Sequence, residues 1–400
     1  MNTNLDELNG EQIVAFVGTY GDKENHPGGI YTLHVENKGK NISVAHNIES
    51  PMLAGYLSFD KTTNTLYSVD ERKNDGRGPV EPAASVMAFS VTPKTGKLAF
   101  INSHIAPGPR PTYLSLDSEN RRLVTANHGD FDHVEKVVFK NGQWVSEYVY
   151  DDSTVILYSL NQDGSIAGIS DLVVLTGHGK DPNNSKQAGG HAQSNAHAHS
   201  SVLSPDKKYL LVCDKGTDKI LVFRITDKLN LVHEYQFSEE IAPRHLEFST
   251  DGNKVFLTLE LSSQVASMKF DQKSGALELI DIISSVKKDF KSLNEPAEIR
   301  LHPNNKFLYV NNRGEDSLAW FSIDADCKLK LIDNVSLAKS IHPGLAARSF
   351  AFSPSGDYLL LADRPANLVK CYSVDPETGA LSFISSVDVP QPAFVEFASL

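Results

Sequence analysis

The stretch Phe350-Ala351-Phe352-Ser353-Pro354-Ser355-Gly356, followed after Asp357 by Tyr358-Leu359-Leu360-Leu361-Ala362, reads as two short strands joined by a tight polar turn. The pattern recurs upstream. It appears as Tyr56-Leu57-Ser58-Phe59-Asp60 before Leu66–Val69, and as Tyr113-Leu114-Ser115-Leu116-Asp117 before Leu123–Ala126. Ser201-Val202-Leu203-Ser204-Pro205-Asp206 precedes Tyr209–Cys213, and Leu246-Glu247-Phe248-Ser249-Thr250-Asp251-Gly252 precedes Val255–Leu259. Ile299-Arg300-Leu301-His302-Pro303-Asn304 before Phe307–Val310 completes the series. With Thr62, Glu119, Asp206, Asp251, Asn304 and Ser355 as equivalent turn positions, the copies lie 57, 87, 45, 53 and 51 residues apart. Two further β-rich runs follow each copy, as Lys219–Arg224 and Leu231–Tyr235 do after Asp206. Four strands per repeat of this size is the signature of a β-propeller.

The 87-residue interval holds an extra hairpin-like stretch, 129–150, and a Gly/Asn/His-rich loop, 177–196, both read as insertions. A seventh unit is divided between the termini. Val14–Tyr20, Ile30–Val35 and Ile42–Ile48 supply three strands, and Pro392-Ala393-Phe394-Val395-Glu396-Phe397 matches the first strands of the other units in spacing. Pairing the last strand with the first blade closes the ring and removes a free sheet edge. The expected architecture is therefore all-β: a seven-bladed β-propeller of four-stranded antiparallel blades, one domain over 13–400 after an N-terminal tail at 1–12.

Composition excludes several classes. The 400 residues are 40% hydrophobic and 22% charged, ample for a buried core. Lys and Arg total 38 against 50 Asp and Glu, a net charge of -12 that disfavours nucleic acid or an anionic membrane as partner. The polar, acidic N-terminus lacks the pattern of a signal peptide, and no apolar run approaches the roughly 20 residues of a membrane span. Cys213, Cys327 and Cys371 are isolated and odd in number, which argues against a disulfide framework and for a cytoplasmic location.

In a ring of equivalent strands, matching positions face the channel at matching depth. Nine residues after each turn position lie Glu71, His128, Lys215, Glu260, Arg313 and Arg364, with Tyr20 in the first blade. Seven before it lie Gly55, Thr112, His199, Arg244, Ala297 and Arg348, with Ala393 from the C-terminal match. Strand-end charges are ordinarily solvated, but three arginines with His199 and Glu260 in consecutive blades define a cationic cup in an acidic protein. Such a cup suits an anionic substrate whose reaction develops charge on oxygen. The stretch His191-Ala192-Gln193-Ser194-Asn195-Ala196-His197-Ala198-His199 contains a His-x-His pair that could sit on one strand face. With no acidic or Cys partner at ligand spacing, neither metal nor cofactor is expected. His199 is expected in the channel and His191 in a loop.

Several of these segments resemble the seven-bladed propeller lactonase family, which includes bacterial-type 6-phosphogluconolactonases and fungal carboxy-cis,cis-muconate cyclising enzymes. The resemblance is carried by Phe16-Val17-Gly18-Thr19-Tyr20, His197-Ala198-His199-Ser200, Ala242-Pro243-Arg244-His245-Leu246, Leu259-Glu260-Leu261, Pro296-Ala297-Glu298-Ile299 and Asn311-Asn312-Arg313-Gly314. It runs from about residue 13 to 397. In the cyclising relatives a His, two Arg and a Glu form the active site, and motif by motif these fall on His199, Arg244, Arg313 and Glu260. This chain departs from the family pattern at Asp214-Lys215-Gly216, where Asp-Leu-Gly is common, and at the 129–150 insertion.

The resemblance implies hydrolysis of a sugar lactone, foremost 6-phosphogluconolactone to 6-phosphogluconate in the pentose phosphate pathway. On that reading Glu260 is the expected base, Arg244 stabilises the oxyanion and His199 protonates the leaving oxygen. Arg313 and Arg348, with Lys215, are expected to hold the substrate's anionic group, and Glu71 and His128 to line it. The partner is a small anionic lactone, and the protein a monomer or weak homo-oligomer. Two alternatives stay open: a carboxymuconate cycloisomerase or a lactonase for a non-phosphorylated acid, and a non-catalytic propeller scaffold.

Overall fold

The computed structural model describes residues 12–22, 25–74, 80–180, 193–341 and 344–400. Over these residues the chain forms seven four-stranded antiparallel sheets and one separate two-stranded hairpin. The blade containing Asp206 shows the plan, with Ala198–Leu203, Tyr209–Asp214, Lys219–Ile225 and Leu229–Gln236 hydrogen-bonded in chain order. Its second strand is buried at every position, whereas its fourth is buried only at Leu229 and is exposed or half-buried elsewhere. The difference follows from cover: neighbouring blades pack on both faces of the inner strands, which therefore read as continuous apolar runs, while the outermost strand meets solvent. The core is a set of wedges between blades, such as Leu211 and Val222 against Leu257 and Met268, and Ala15 and Val17 against Leu360 and Val369.

The turns that gave the repeat away also set its register. Ser204, Ser249, His302 and Ser353 each donate a backbone N–H to the carbonyl five residues on, at 2.8–2.9 Å. Within these turns Lys207, Gly252, Asn305 and Gly356 adopt φ of 59°, 69°, 59° and 76°. That left-handed region favours Gly and tolerates Asn, which explains their presence just after the turn position. Turns of matched length deliver every second strand to the same height, so residues nine past the turn end at one rim.

The ring closes as the spacing requires. Ile13–Thr19 pairs with Pro392–Ser399, with Val17 opposite Val395 and Gly18 opposite Phe394. Gln12 and Leu400 exchange backbone hydrogen bonds of 3.1 and 3.0 Å beyond the paired strands. In the third blade, the stretch expected as an insertion forms the hairpin His133–Lys140 and Gln143–Tyr150, outside the blade's own sheet. The second expected insertion is described only at its ends, because 181–192, His191 included, lie outside the described residues, as do residues 1–11 of the expected tail. Among the described residues no helix is long and apolar enough to cross a membrane.

Gly18 sits where the closing strand meets the second blade. A Cβ there would lie 2.1 Å from the carbonyl oxygen of Ala54, whose own N–H is donated to the Thr19 carbonyl at 3.1 Å. Gly18→Ala is expected to destabilise the fold by about 1–3 kcal/mol through this overpacking, read as a lower urea midpoint at unchanged slope. An unchanged midpoint would show that the first and second blades can move apart freely here.

Candidate functional site

Five of the seven innermost strands carry a β-bulge at the end nearest the rim. Thr112, His199 and Ala393 are each an extra residue without an opposite number. In the fifth and sixth blades two residues oppose one: Arg244 and His245 stand against Thr258, and Ala297 and Glu298 against Asn311. A bulge bends its strand and re-aims side chains. Adjacent residues, which regular pleating would send to opposite faces, thus serve one site.

Of these, Thr112 and His199 line a cavity of about 600 Å³, within the usual range for small-molecule sites. All seven rim positions singled out by register line it: Tyr20, Glu71, His128, Lys215, Glu260, Arg313 and Arg364. A second hollow of about 20 Å³ shares Tyr20, Glu71, Thr112, His199 and Arg348 with it, and adds Arg244, His245 and Glu298. It has room for about one water.

Glu260 is the electrostatic hub. One carboxylate oxygen accepts from Lys215 Nζ at 2.7 Å, the other from Arg313 Nη2 at 2.8 Å, and Arg244 Nε stands 3.4 Å away. Burial alone would raise this carboxyl, but Lys215, Arg313 and Arg244 hold it well below the usual range. Arg313 also reaches Glu295, at 3.1 Å. Arg244, 2% exposed, is brought down to about 9 by burial and by Arg313. Its Nε and Nη1 have no hydrogen-bond acceptor. Buried donors of this kind cost free energy unless a ligand satisfies them.

The histidines form a connected group. His199 Nδ1 lies 3.2 Å from His245 Nε2, and His245 Nδ1 lies 3.1 Å from Glu298 Oε1. Burial, then Arg244, holds both rings down, His199 well below its ordinary value and His245 at about 4. His128 stacks on His197 with centroids 4.6 Å apart and meets the edge of His199 at 5.4 Å. Its Nδ1 engages the Gly129 carbonyl, and burial together with His197 keeps it neutral. His197 and His199 therefore have separate tasks: one stacks and bonds to the His128 carbonyl, the other pairs with His245.

The expected residues are thus brought together, but several do different work. Lys215 and Arg313, expected to grip the substrate's anion, are occupied by Glu260. Glu71 accepts the Tyr20 hydroxyl at 2.5 Å, and His128 is a packed wall. Arg348 stands over the Tyr20 ring at 5.5 Å and lines both hollows, with no hydrogen-bond partner for its guanidinium among the described residues. Arg364, also over Tyr20, is held by Gln391 and the Gly344 carbonyl. The hairpin insertion contributes through its approach: Phe131 lies under Lys215 Nζ at 5.8 Å, and Asp130 accepts from Arg110 at the rim. Sequence reading did not select His245 and Glu298. Both stand inside the segments that carry the family resemblance, next to residues already assigned to the channel.

A single propeller with a buried cluster of cations gathered around Glu260 defines a class, and comparison with known proteins agrees with it. A model of the seven-bladed β-propeller lactonases matches residues 14–397, and the chain belongs to that family. It is 26% identical to a 6-phosphogluconolactonase of Bacillus subtilis over 390 residues, covering 96% of this chain and 98% of that protein. A 6-phosphogluconolactonase of Formosa agariphila is 28% identical over 376 residues, 92% of this chain and 94% of its relative. Among solved structures, a protein from Lactobacillus plantarum superposes with a TM-score of 0.79 at 28% identity, covering 97% and 99% of the two chains. A periplasmic gluconolactonase of Pseudomonas aeruginosa superposes with a TM-score of 0.76 at 27% identity, covering 96% and 99%.

Glu260→Gln leaves three buried cations short of a counter-charge and is expected to destabilise the protein by about 3–5 kcal/mol at pH 7. Because the folded-state pKa of Glu260 is depressed, its stabilisation is complete above the unfolded value of about 4.3 and is lost as pH falls toward the folded one. The gap between wild type and Glu260→Gln in denaturant unfolding should stay constant from pH 7 to 5 and narrow below pH 4. A gap that widens in acid would contradict the assignment.

Proposed function

We propose that the protein hydrolyses the ring ester of a sugar lactone, with 6-phosphogluconolactone as the leading substrate. The observation that carries this reading is Arg244: a buried guanidinium with two unpartnered N–H groups, in the same small hollow as His199. Donors fixed in a desolvated site stabilise a tetrahedral oxyanion without reorganising. The family and the names of its relatives support the same chemistry.

The geometry favours a different division of labour from the one expected from sequence. Glu260 is a poor base, since both its oxygens are engaged and three cations hold its proton affinity down. It serves as the fixed anion that orients Lys215, Arg313 and Arg244. His199 is neutral at pH 7, so it cannot start as the acid; it can accept a proton. In the proposed cycle a water attacks the lactone carbonyl while His199 takes the water's proton. Arg244 hydrogen-bonds the oxyanion. On collapse the C–O ring bond breaks, and the imidazolium returns the proton to the departing oxygen, leaving the hydroxy acid.

Arg348 is the open cation for the anionic substituent of the substrate. That it is one cation, itself facing Glu71, also favours a second reading, a lactone without phosphate, since Lys215 and Arg313 are already neutralised. The two readings separate in a comparison of kcat/KM for freshly made 6-phosphogluconolactone and gluconolactone, after subtraction of spontaneous hydrolysis. A preference for the phosphorylated lactone supports the first; equal values support the second. Turnover of neither would remove the hydrolytic reading.

Two further outcomes are expected. Arg244→Met should lower kcat by about 10²–10³-fold, the usual effect of losing an oxyanion donor, whereas Arg348→Met should raise KM for the phosphorylated lactone with kcat little changed. Because the base must be unprotonated and burial lowers its pKa, kcat should be flat from pH 6 to 8 and fall only well below 6.5. A descending limb above pH 6.5 would restore His199 as the acid.

A further inference from the structure

We propose that His245 and Glu298 are positioning residues that fix the proton of His199 on Nδ1, so that its Nε2 lone pair faces the substrate cavity. The work assigned to that lone pair rests on the hydrolytic reading above; the placement of the proton does not.

The inference follows from one proton per neutral imidazole. Glu298 is buried, and Arg300 Nη2 lies 3.6 Å from the carboxylate oxygen that faces His245. Burial would raise this carboxyl, but Arg300 and His245 bring it to about 2, so it only accepts. His245 Nδ1, 3.1 Å from it, is therefore the donor. His245 is itself neutral, which leaves its Nε2 as an acceptor. The nitrogen 3.2 Å from that acceptor is His199 Nδ1, and it must carry the hydrogen. His199, neutral in turn, keeps its lone pair on Nε2, and the ring lines both hollows of the site.

The surroundings stabilise this order. Of the other groups that face His199, Arg244 and Lys215 can only donate, and the His128 ring, edge-on with centroids 5.4 Å apart, makes no hydrogen bond to it among the described residues. His245 faces Arg244, Glu298 and Arg300, with Tyr113 edge-on at 5.3 Å. Arg300 is balanced by Glu247 at 3.4 Å as well as by Glu298, and also contacts the Tyr56 hydroxyl at 3.4 Å. The bulges make the chain of contacts possible. Without them Arg244 and His245, adjacent in sequence, would face opposite sides of the strand, and only one could reach the site. As His199 takes a proton during turnover, the same path lets the Glu298 charge stabilise the imidazolium through His245.

The test uses the full-length protein uniformly labelled with ¹⁵N, with histidine ring resonances recorded at pH 7.5 and assigned by comparison with His199→Gln and His245→Gln. His199 and His245 should both show the pattern of a neutral ring protonated on Nδ1. A wild-type His199 protonated on Nε2 would overturn the proposal, and this spectrum needs no variant of Glu298 to fold. Glu298→Gln supplies an amide that can donate to His245 and release the order; kcat should fall by about 10²-fold, the scale of general-base catalysis, with KM within about twofold. In a His199→Ala background the same substitution should cost nothing further. An equal loss of kcat in both backgrounds would make Glu298 merely structural and also overturn the proposal. If wild type hydrolyses no lactone, the hydrolytic reading fails, while the spectrum still decides the proton's position.

Discussion

Ring closure is the constraint on which the rest depends. Each blade is a twisted sheet whose faces are satisfied only by two neighbours, so a seven-unit chain leaves two unmatched faces unless its ends meet. The pairing of Ile13–Thr19 with Pro392–Ser399 makes that join with strands from opposite ends of the sequence. Once closed, the ring gives every unit the same surroundings. Equal turns then bring seven side chains to one rim, and the bulges of the innermost strands aim a second set at the axis.

Within that frame the site is organised by one buried anion. Gathering Lys215, Arg244 and Arg313 in a desolvated cup would be strongly unfavourable without Glu260 among them. The pairing is unequal by design of the geometry: Lys215 and Arg313 are hydrogen-bonded to Glu260, whereas Arg244 is near enough to be balanced but keeps its N–H groups open. A protein of net charge -12 thereby presents an anion-seeking interior. The lesson for such sites is that a count of cations overstates the free positive charge, which depends on which guanidinium or ammonium lacks an acceptor.

The fold was legible in the sequence because turn chemistry repeats. Ser-Pro-Asp, Thr-Asp-Gly and Pro-Ser-Gly segments, each followed by an apolar run, report a unit that recurs for a physical reason: a left-handed turn residue and a twice-covered strand. Register then singled out the rim residues without any contact information, since positions counted from equivalent turns lie at equivalent heights. The 129–150 stretch was legible as an insertion on the same ground, because it broke the period.

What the sequence by itself determined was therefore the number of blades, the closure and the seven side chains that register brings to the rim. Only the tertiary structure decided what each of them does. Pairing of Lys215 and Arg313 with Glu260, the placing of Arg348 over Tyr20 without a hydrogen bond among the described residues, and the open donors of Arg244 depend on distances across blades tens of residues apart. His245 and Glu298 were hidden by period-two reasoning, which assigns neighbours to opposite faces. A bulge suspends that alternation, and bulges are settled by how strands pair, not by the residues of one strand alone.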